Sequence, residues 1–196
     1  MRDTEGVAAQ AARDVTRWLE SDPQTLCVLN VEADPEYQRR DIDLVWRTKS
    51  GPFTVEVKGD RYDQSGNFFF ETMSNQEAGT PGCFLYTEAD FVHYYFVRSR
   101  QLFILPMPAT RDWFKARIDR FREVSTTTPY PGGHYTTVGR LVKTDQVLKE
   151  VSSTRCVQLT GAERPATPRW RRALATLLAK ASGGGPKQQL RLPRSE

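Results

Sequence analysis

Two acidic residues and a lysine between residues 41 and 58 have the types and the spacing of a divalent-cation site. Asp43 lies in one short apolar run, and Glu56 and Lys58 lie in the next. A hard cation such as Mg²⁺ binds a few carboxylate oxygens and keeps water molecules as its other ligands. Asp43 and Glu56 could therefore share such a cation, with the ammonium group of Lys58 beside it.

Both runs alternate apolar and charged residues, which is typical of paired β-strands. Residues 47–52 include Gly and Pro and predict the turn of a hairpin. In the register centred on this turn, Asp43 faces Glu56 and Asp41 faces Lys58. The large apolar side chains then share the opposite face: Ile42, Leu44, Trp46, Phe53, Val55 and Val57. A slip of one residue would destroy this sorting, so the pattern specifies the register.

Two facing carboxylates repel each other, so this arrangement needs a compensating charge or access to water. One interpretation is a cation held between Asp43 and Glu56. The other is a solvated charged face, on which Asp41 and Lys58 form a surface ion pair worth ~0–1 kcal/mol. The hairpin alone leaves both interpretations open.

Asp43, followed by Glu56-Val57-Lys58 at the end of an apolar strand, resembles the active-site signature of the PD-(D/E)XK nuclease superfamily. The resemblance covers about residues 5–125, and the region 37–43 is similar to small phage- and resolvase-like members. The signature is degenerate, because Ile42 stands where the family has Pro. It implies an α/β, restriction-endonuclease-like fold, with a central mixed β-sheet flanked by helices.

The same resemblance implies a metal-dependent nuclease, most simply a DNA endonuclease that works as a homodimer. Asp43 and Glu56 would hold one or two Mg²⁺ or Mn²⁺ ions, and the backbone carbonyl of Val57 could add a ligand. Lys58 would orient the attacking water, help to deprotonate it, or stabilise the transition state. Two alternatives remain: a non-catalytic nucleic-acid-binding or assembly module that retains the fold, and a nuclease that acts on RNA.

Two further acids are candidates for the site. Asp41 could replace Asp43 as a ligand, but the register favours it as the partner of Lys58 or as a group that supports the ligands without touching the ion. Glu71, in the aromatic strand that follows, is either an additional carboxylate or a charge at the edge of that strand. The residues that could contact nucleic acid are basic: Arg39, Arg40, Arg61, Arg169, Arg171 and Arg172.

Composition narrows the class of protein without choosing a function. The chain has 196 residues and a formal net charge of +4, which is compatible with a polyanionic partner. Its three widely spaced cysteines match neither a zinc site nor a disulfide framework and favour the reducing cytoplasm. No apolar run approaches the ~18 residues of a membrane span, and the N-terminus lacks a signal-peptide pattern.

The remaining elements follow from hydrophobic periodicity and turn residues. We predict one nuclease-like domain over 1–160, and a basic helix with a flexible tail over 161–196. Within the domain we expect a helix at 4–20, a buried strand at 26–31, strands at 68–73, 91–97, 102–105 and 135–142, helices at 111–122 and 144–151, and a loop at 126–133.

Overall fold

The computed structural model describes residues 2–130 and 132–159. In chain order its elements are α1 (Arg2–Glu20), β1 (Thr25–Asn30), α2 (Pro35–Gln38), β2 (Leu44–Thr48), β3 (Gly51–Asp60), β4 (Asn67–Asn75), β5 (Thr80–Pro81), α3 (Cys83–Tyr86), β6 (Phe91–Phe96), β7 (Gln101–Pro106), α4 (Ala109–Lys115), β8 (Arg122–Tyr130), β9 (Gly133–Lys143), α5 (Thr144–Glu150) and β10 (Arg155–Gln158).

The strands form two sheets. Six of them form a central mixed sheet in the order β1-β2-β3-β6-β7-β10, in which the β3–β6 pair is parallel and the other pairs are antiparallel. The predicted α/β class with a mixed central sheet is therefore confirmed. The other four strands form a separate antiparallel sheet in the order β5-β4-β9-β8, which the sequence did not predict.

The β2–β3 hairpin has the predicted register. Leu44 pairs with Val55, and Trp46 pairs with Phe53. All four side chains are at most 5% exposed, so this apolar face is fully covered. Ile42 departs from the pattern, because it packs in a small cluster with Tyr37, Val45 and Ala89.

Helix α1 covers the apolar face of the central sheet. Its buried stripe, Ala11, Val15 and Leu19, recurs every four residues as expected for an amphipathic helix. The hydroxyl of Tyr95 on β6 donates to Asp14 of the helix at 3.0 Å. His93 lies beside Trp18, and burial lowers the pKa of His93 to about 3, so this histidine is a neutral core residue.

The second sheet and α3–α5 cover the opposite face, which carries Glu56 and Lys58. The core between these layers is aromatic: Phe68 and Phe70 of β4 pack with side chains of the central sheet and the helices, including Phe84, Tyr94, Phe96, Phe103 and Phe114. The interpretation of this charged face as a solvated surface is therefore wrong, since a layer of protein lies over it.

Three predicted elements differ from the structure. The predicted loop at 126–133 is mostly strand, because its threonines pair with β9 from Arg122–Leu141 to Tyr130–Gly133, and threonine favours strands. Strand β1 lies at a sheet edge and is only half-buried, with Leu26 65% exposed. Helix α4 ends at Lys115 and is followed by a 3₁₀ turn, Ile118–Arg120.

The predicted C-terminal helix and tail at 161–196, with Arg169, Arg171 and Arg172, lie outside the described residues. In the described part of the chain, none of the helices has the length and apolar character needed to cross a membrane.

Close packing of α1 on β3 requires glycine at position 59. A Cβ atom there would lie 2.8 Å from Cβ of Ala11 and 3.0 Å from the carbonyl oxygen of Val7. We expect Gly59→Ala to lower the free energy of unfolding by ~1–3 kcal/mol, because the helix must move to relieve the overlap. Urea denaturation followed by circular dichroism measures this change.

Gly6→Ala is the matched control for Gly59→Ala. Position 6 lies on the same helix, and an added Cβ has no neighbour within 4 Å. We expect this variant to be up to ~1 kcal/mol more stable than the wild type, since alanine favours the helix. Equal stability of the Gly59→Ala protein and the wild type would contradict this account of the packing.

Candidate functional site

The site is built where β1, β2 and β3 meet. Asp43 directly precedes β2, and its backbone is held on both sides. Its N–H donates to the carbonyl of Val55 at 3.0 Å, and its carbonyl accepts from the N–H of Val31 at 2.8 Å. The main chain of Asp43 is therefore fixed relative to β3 before its side chain makes any contact.

The side chain of Asp43 continues the hairpin beyond the last backbone pair. Its Oδ2 atom accepts a hydrogen bond from the N–H of Val57 at 2.8 Å, so the carboxylate takes the place of a backbone carbonyl. The carboxyl groups of Asp43 and Glu56 lie close enough for each to shift the pKa of the other. The structure thus brings together the two carboxyl groups that the register predicted to face each other.

Burial and mutual repulsion favour a proton on this acid pair. Burial, followed by the charges of Asp43 and Asp41, raises the pKa of Glu56 well above its ordinary value. Burial also raises the pKa of Asp43, although the hydrogen bonds from Val57 and Glu56 oppose this effect. Glu56 is only 8% exposed, so little solvent reaches its charged form. Burial and the neighbouring carboxylates therefore favour the protonated form of Glu56.

Asp41 lies beside this pair in an unusual backbone conformation. Its φ is 54°, in the left-handed region that residues other than glycine seldom adopt. Tyr86 donates from its hydroxyl to Oδ1 of Asp41 at 3.1 Å, and Thr87 donates to its carbonyl at 2.7 Å. These two contacts hold the strained residue in place.

Asp41 has the electrostatic character of a member of the site. Burial raises its pKa to about 6, although the hydrogen bond from Tyr86 opposes this shift and the charge of Asp43 adds to it. Its Oδ2 atom is shielded from solvent and accepts no hydrogen bond from the described residues. Asp41 therefore has a carboxylate oxygen free for a further donor or cation.

Lys58 forms its ion pair with Glu71 of β4, through Nζ and Oε1. The predicted pairing of Lys58 with Asp41 is wrong, because the left-handed turn at Asp41 takes that residue out of the extended strand. Burial alone would lower the pKa of Lys58, but its ion pair with Glu71 raises it above its ordinary value. Lys58 is thus a cation. Its neighbour Cys83 is a neutral thiol, because burial raises the pKa of Cys83 well above its ordinary value.

The balance of charge in this cluster is negative. Asp41, Asp43, Glu56 and Glu71 supply four carboxyl groups, and Lys58 supplies one ammonium group. Among residues 2–130 and 132–159, no three Asp, Glu, His or Cys side chains converge into a ready-made metal cage. The carboxyl oxygens of the Asp43–Glu56 pair and the unpartnered Oδ2 of Asp41 are the candidate ligands for a cation.

Three of the basic residues predicted to contact nucleic acid lie in the described part of the chain: Arg39, Arg40 and Arg61. Arg40 forms a surface ion pair with Glu88 at 2.7 Å, and Arg39 is exposed next to α2. Arg61 lies over the ring of Tyr62, 5.3 Å from its centroid. Their role in binding stays a prediction.

Three residues of the site had no signal in the sequence. Tyr86, Thr87 and Cys83 belong to α3 and the loop after it, far along the chain from Asp41 and Lys58. No strand alternation or motif spacing links them to the hairpin, because the contacts depend on how α3 packs on β4. The short apolar run 83–86 was the one hint of a buried element there.

No protein-family model matches this chain, and neither the characterised proteins nor the solved structures contain a match to it. The geometry of the site therefore carries the functional argument.

The raised carboxyl pKa values predict a pH-dependent stability. A carboxyl group whose pKa is higher in the folded state stabilises the fold below its unfolded pKa of ~4, and this contribution is lost as pH rises through the folded pKa. For Asp41 this stabilising contribution is lost as the pH rises through about 6. The pKa of Glu56 is also raised well above its ordinary value, so Glu56 contributes in the same direction. We expect Glu56→Gln to raise the melting temperature by roughly 2–8 °C at pH 8 and to change it little at pH 4.

Glu88→Gln is the control for this pH dependence. Glu88 is a carboxylate of a surface ion pair, with its side chain 61% exposed, and such pairs contribute ~0–1 kcal/mol. Thermal unfolding at both pH values, without divalent cations, measures the effect. A Glu56→Gln protein that is less stable than the wild type at pH 8 would show that the acid pair is not strained by its charge.

Removing the hydroxyl of Tyr86 tests the environment of Asp41. That hydroxyl stabilises the charged carboxylate, so we expect Tyr86→Phe to raise the pKa of Asp41 above about 6. A hydrogen bond of ordinary strength corresponds to an increase of about 0.5–1 in the pKa. NMR titration of the Asp41 carboxyl carbon measures it, and an unchanged or lower value would mean that the bond does not form in solution.

Proposed function

We propose that this protein is a Mg²⁺- or Mn²⁺-dependent nuclease of the PD-(D/E)XK type, which hydrolyses phosphodiester bonds in DNA as an endonuclease. One observation carries the proposal: the carboxyl groups of Asp43 and Glu56 contact each other, with Lys58 two residues along on the same face of β3. A cation between these two groups would offset the repulsion between their charges.

The acid pair suits a hard divalent cation. Both groups offer only oxygen ligands, both are largely buried, and their charges repel each other when both are ionised. Asp43 and Glu56 would hold the ion, and the carbonyl of Val57 could add a ligand. When bound, the ion lowers the pKa of a water ligand and offsets charge on the scissile phosphate.

The residues around the pair have separate tasks in this proposal. Asp43 is held by the N–H of Val57, so its free oxygen has a fixed direction. Lys58 is a cation with donors to spare, which suits it to bind a phosphate oxygen and stabilise the charge of the transition state. Asp41 lies close enough to influence both carboxyl groups and adds to the negative field that attracts a cation.

The fold supports the family assignment at a coarse level. An amphipathic helix precedes the hairpin that carries Asp43 and Glu56, and this helix packs on the central mixed sheet. A restriction-endonuclease-like arrangement and a homodimer that cuts both strands remain part of the proposal. The family precedent favours DNA, and the basic net charge is compatible with either nucleic acid.

Cleavage assays on plasmid, linear and branched DNA with Mn²⁺ test the proposed activity. We expect the wild type to cut in the presence of Mn²⁺ or Mg²⁺ and to stop when the metal is chelated. Asp43→Asn, Glu56→Gln and Lys58→Met should each reduce the rate by ~10²-fold or more, because each removes a charge that acts on the reacting phosphate.

Glu123→Gln is the matched control, since Glu123 forms an exposed ion pair with Arg140 on the second sheet. It should cut at the wild-type rate. A Glu56→Gln protein as active as the wild type would remove the assignment of the site. Wild-type protein that binds DNA but never cuts it would favour the non-catalytic module, and cleavage of RNA alone would favour the RNA-directed nuclease.

A further inference from the structure

We propose that Glu71 is a positioning residue, which holds the ammonium group of Lys58 where it can meet the scissile phosphate, and that Glu71 is not a metal ligand. This inference rests on the proposed nuclease function and assigns a role that the hairpin motif does not contain.

The contact between the two residues leaves Lys58 able to bind substrate. Glu71 accepts from the ammonium group through one oxygen, and lysine has three N–H donors. The side chains of Lys58 and Glu71 are 26% and 15% exposed, so the pair is shielded but not closed off. Two donors therefore remain for a phosphate oxygen and a water molecule.

A second bridge links the same two strands and limits how far they can move apart. The N–H of Phe69 on β4 donates to the hydroxyl of Tyr94 at 3.0 Å, and that hydroxyl donates to Asp60 on β3 at 2.5 Å. The Lys58–Glu71 ion pair and the link from Asp60 through Tyr94 to Phe69 are thus two bridges between β3 and β4. Along each strand the two bridges are separated by two residues. Both bridges use side chains, whereas the two strands of a hairpin are joined by hydrogen bonds between backbone groups.

Close packing also fixes the backbone of Glu71. Strand β4 has an irregularity between Glu71 and Met73, which shifts the register of its pairing with β9. Gly82 lies against this irregular segment, and its N–H donates to the backbone carbonyl of Thr72 at 2.9 Å. A Cβ atom added at position 82 would lie 2.3 Å from the carbonyl oxygen of Glu71. Only glycine fits there without a shift, so the start of α3 sets the position of Glu71.

The ion pair with Glu71 distinguishes between two possible roles of Lys58, a general base and a hydrogen-bond donor. A general base needs a free lone pair, whereas an ion-paired ammonium group has none and can only donate. Glu71 therefore favours the role of Lys58 as a donor that stabilises charge. If Lys58 were the base, removing Glu71 would free its lone pair and raise the rate.

Glu71→Gln in the full chain tests the inference by steady-state cleavage of DNA with Mn²⁺ at pH 7.5. Glutamine keeps the shape of the side chain and removes its charge. We expect kcat to fall by ~10–100-fold, as for residues that orient a catalytic group. KM for DNA and the Mn²⁺ concentration for half-maximal rate should both stay within ~3-fold of the wild type.

A double-mutant cycle distinguishes positioning from a general structural effect. Because Glu71 acts through Lys58, Glu71→Gln should cause no further loss of kcat in a Lys58→Met background, whereas structural damage would add to it. Thermal unfolding of each variant confirms that it is folded. Glu123→Gln on the same sheet should keep the wild-type kcat.

Each other outcome overturns the inference. An unchanged kcat in Glu71→Gln would show that Lys58 needs no positioning, and an increased kcat would identify Lys58 as the base. A large rise in the Mn²⁺ requirement would make Glu71 a metal ligand. These results all need an active wild type, so failure of the proposed function, seen as a wild type without metal-dependent cleavage, is distinguished from failure of this inference.

Discussion

The hydrogen bond from the N–H of Val57 to the carboxylate of Asp43 is the contact on which the site depends. It replaces a backbone bond of the β2–β3 ladder with a side-chain bond, at the point where the backbone pairing ends. This substitution turns the strand end into a fixed carboxylate oriented toward Glu56. Because the N–H is a backbone donor in a central strand, the direction of Asp43 depends on the sheet and not on neighbouring side chains.

The second constraint is the burial of charge between two layers. Glu56 and Lys58 lie on a face covered by aromatic side chains of β4 and by α3, so the carboxyl groups cannot rely on water. Burial of the acid pair raises the pKa of Glu56 well above its ordinary value, and the buried charge of Lys58 is paired with that of Glu71. Such an arrangement costs stability, and the proposed cation would offset part of that cost.

Strand β4 contributes side chains both to the hydrophobic core and to the site. Its inner side chains Phe68 and Phe70 build the aromatic core, while Glu71 in the same strand reaches Lys58. The core that holds the second sheet against the first therefore also determines where the ammonium group of Lys58 lies. The sequence alone indicated Glu71 as a candidate carboxylate near the site. It could not distinguish a metal ligand from a counter-ion of Lys58, because that role depends on how β4 packs against β3.

Residue patterns in the chain were enough to predict three local features: helix α1, the register of the β2–β3 hairpin, and the proximity of Asp43 to Glu56. Apolar alternation and turn residues act between close neighbours in the chain, so they specify such features without long-range contacts. Tertiary structure decided the rest. The second sheet, strand β8 in place of a loop, the left-handed turn at Asp41 and the partners Tyr86 and Glu71 all arise from contacts between distant segments. Such contacts depend on how whole layers pack, and no local pattern of residues encodes that.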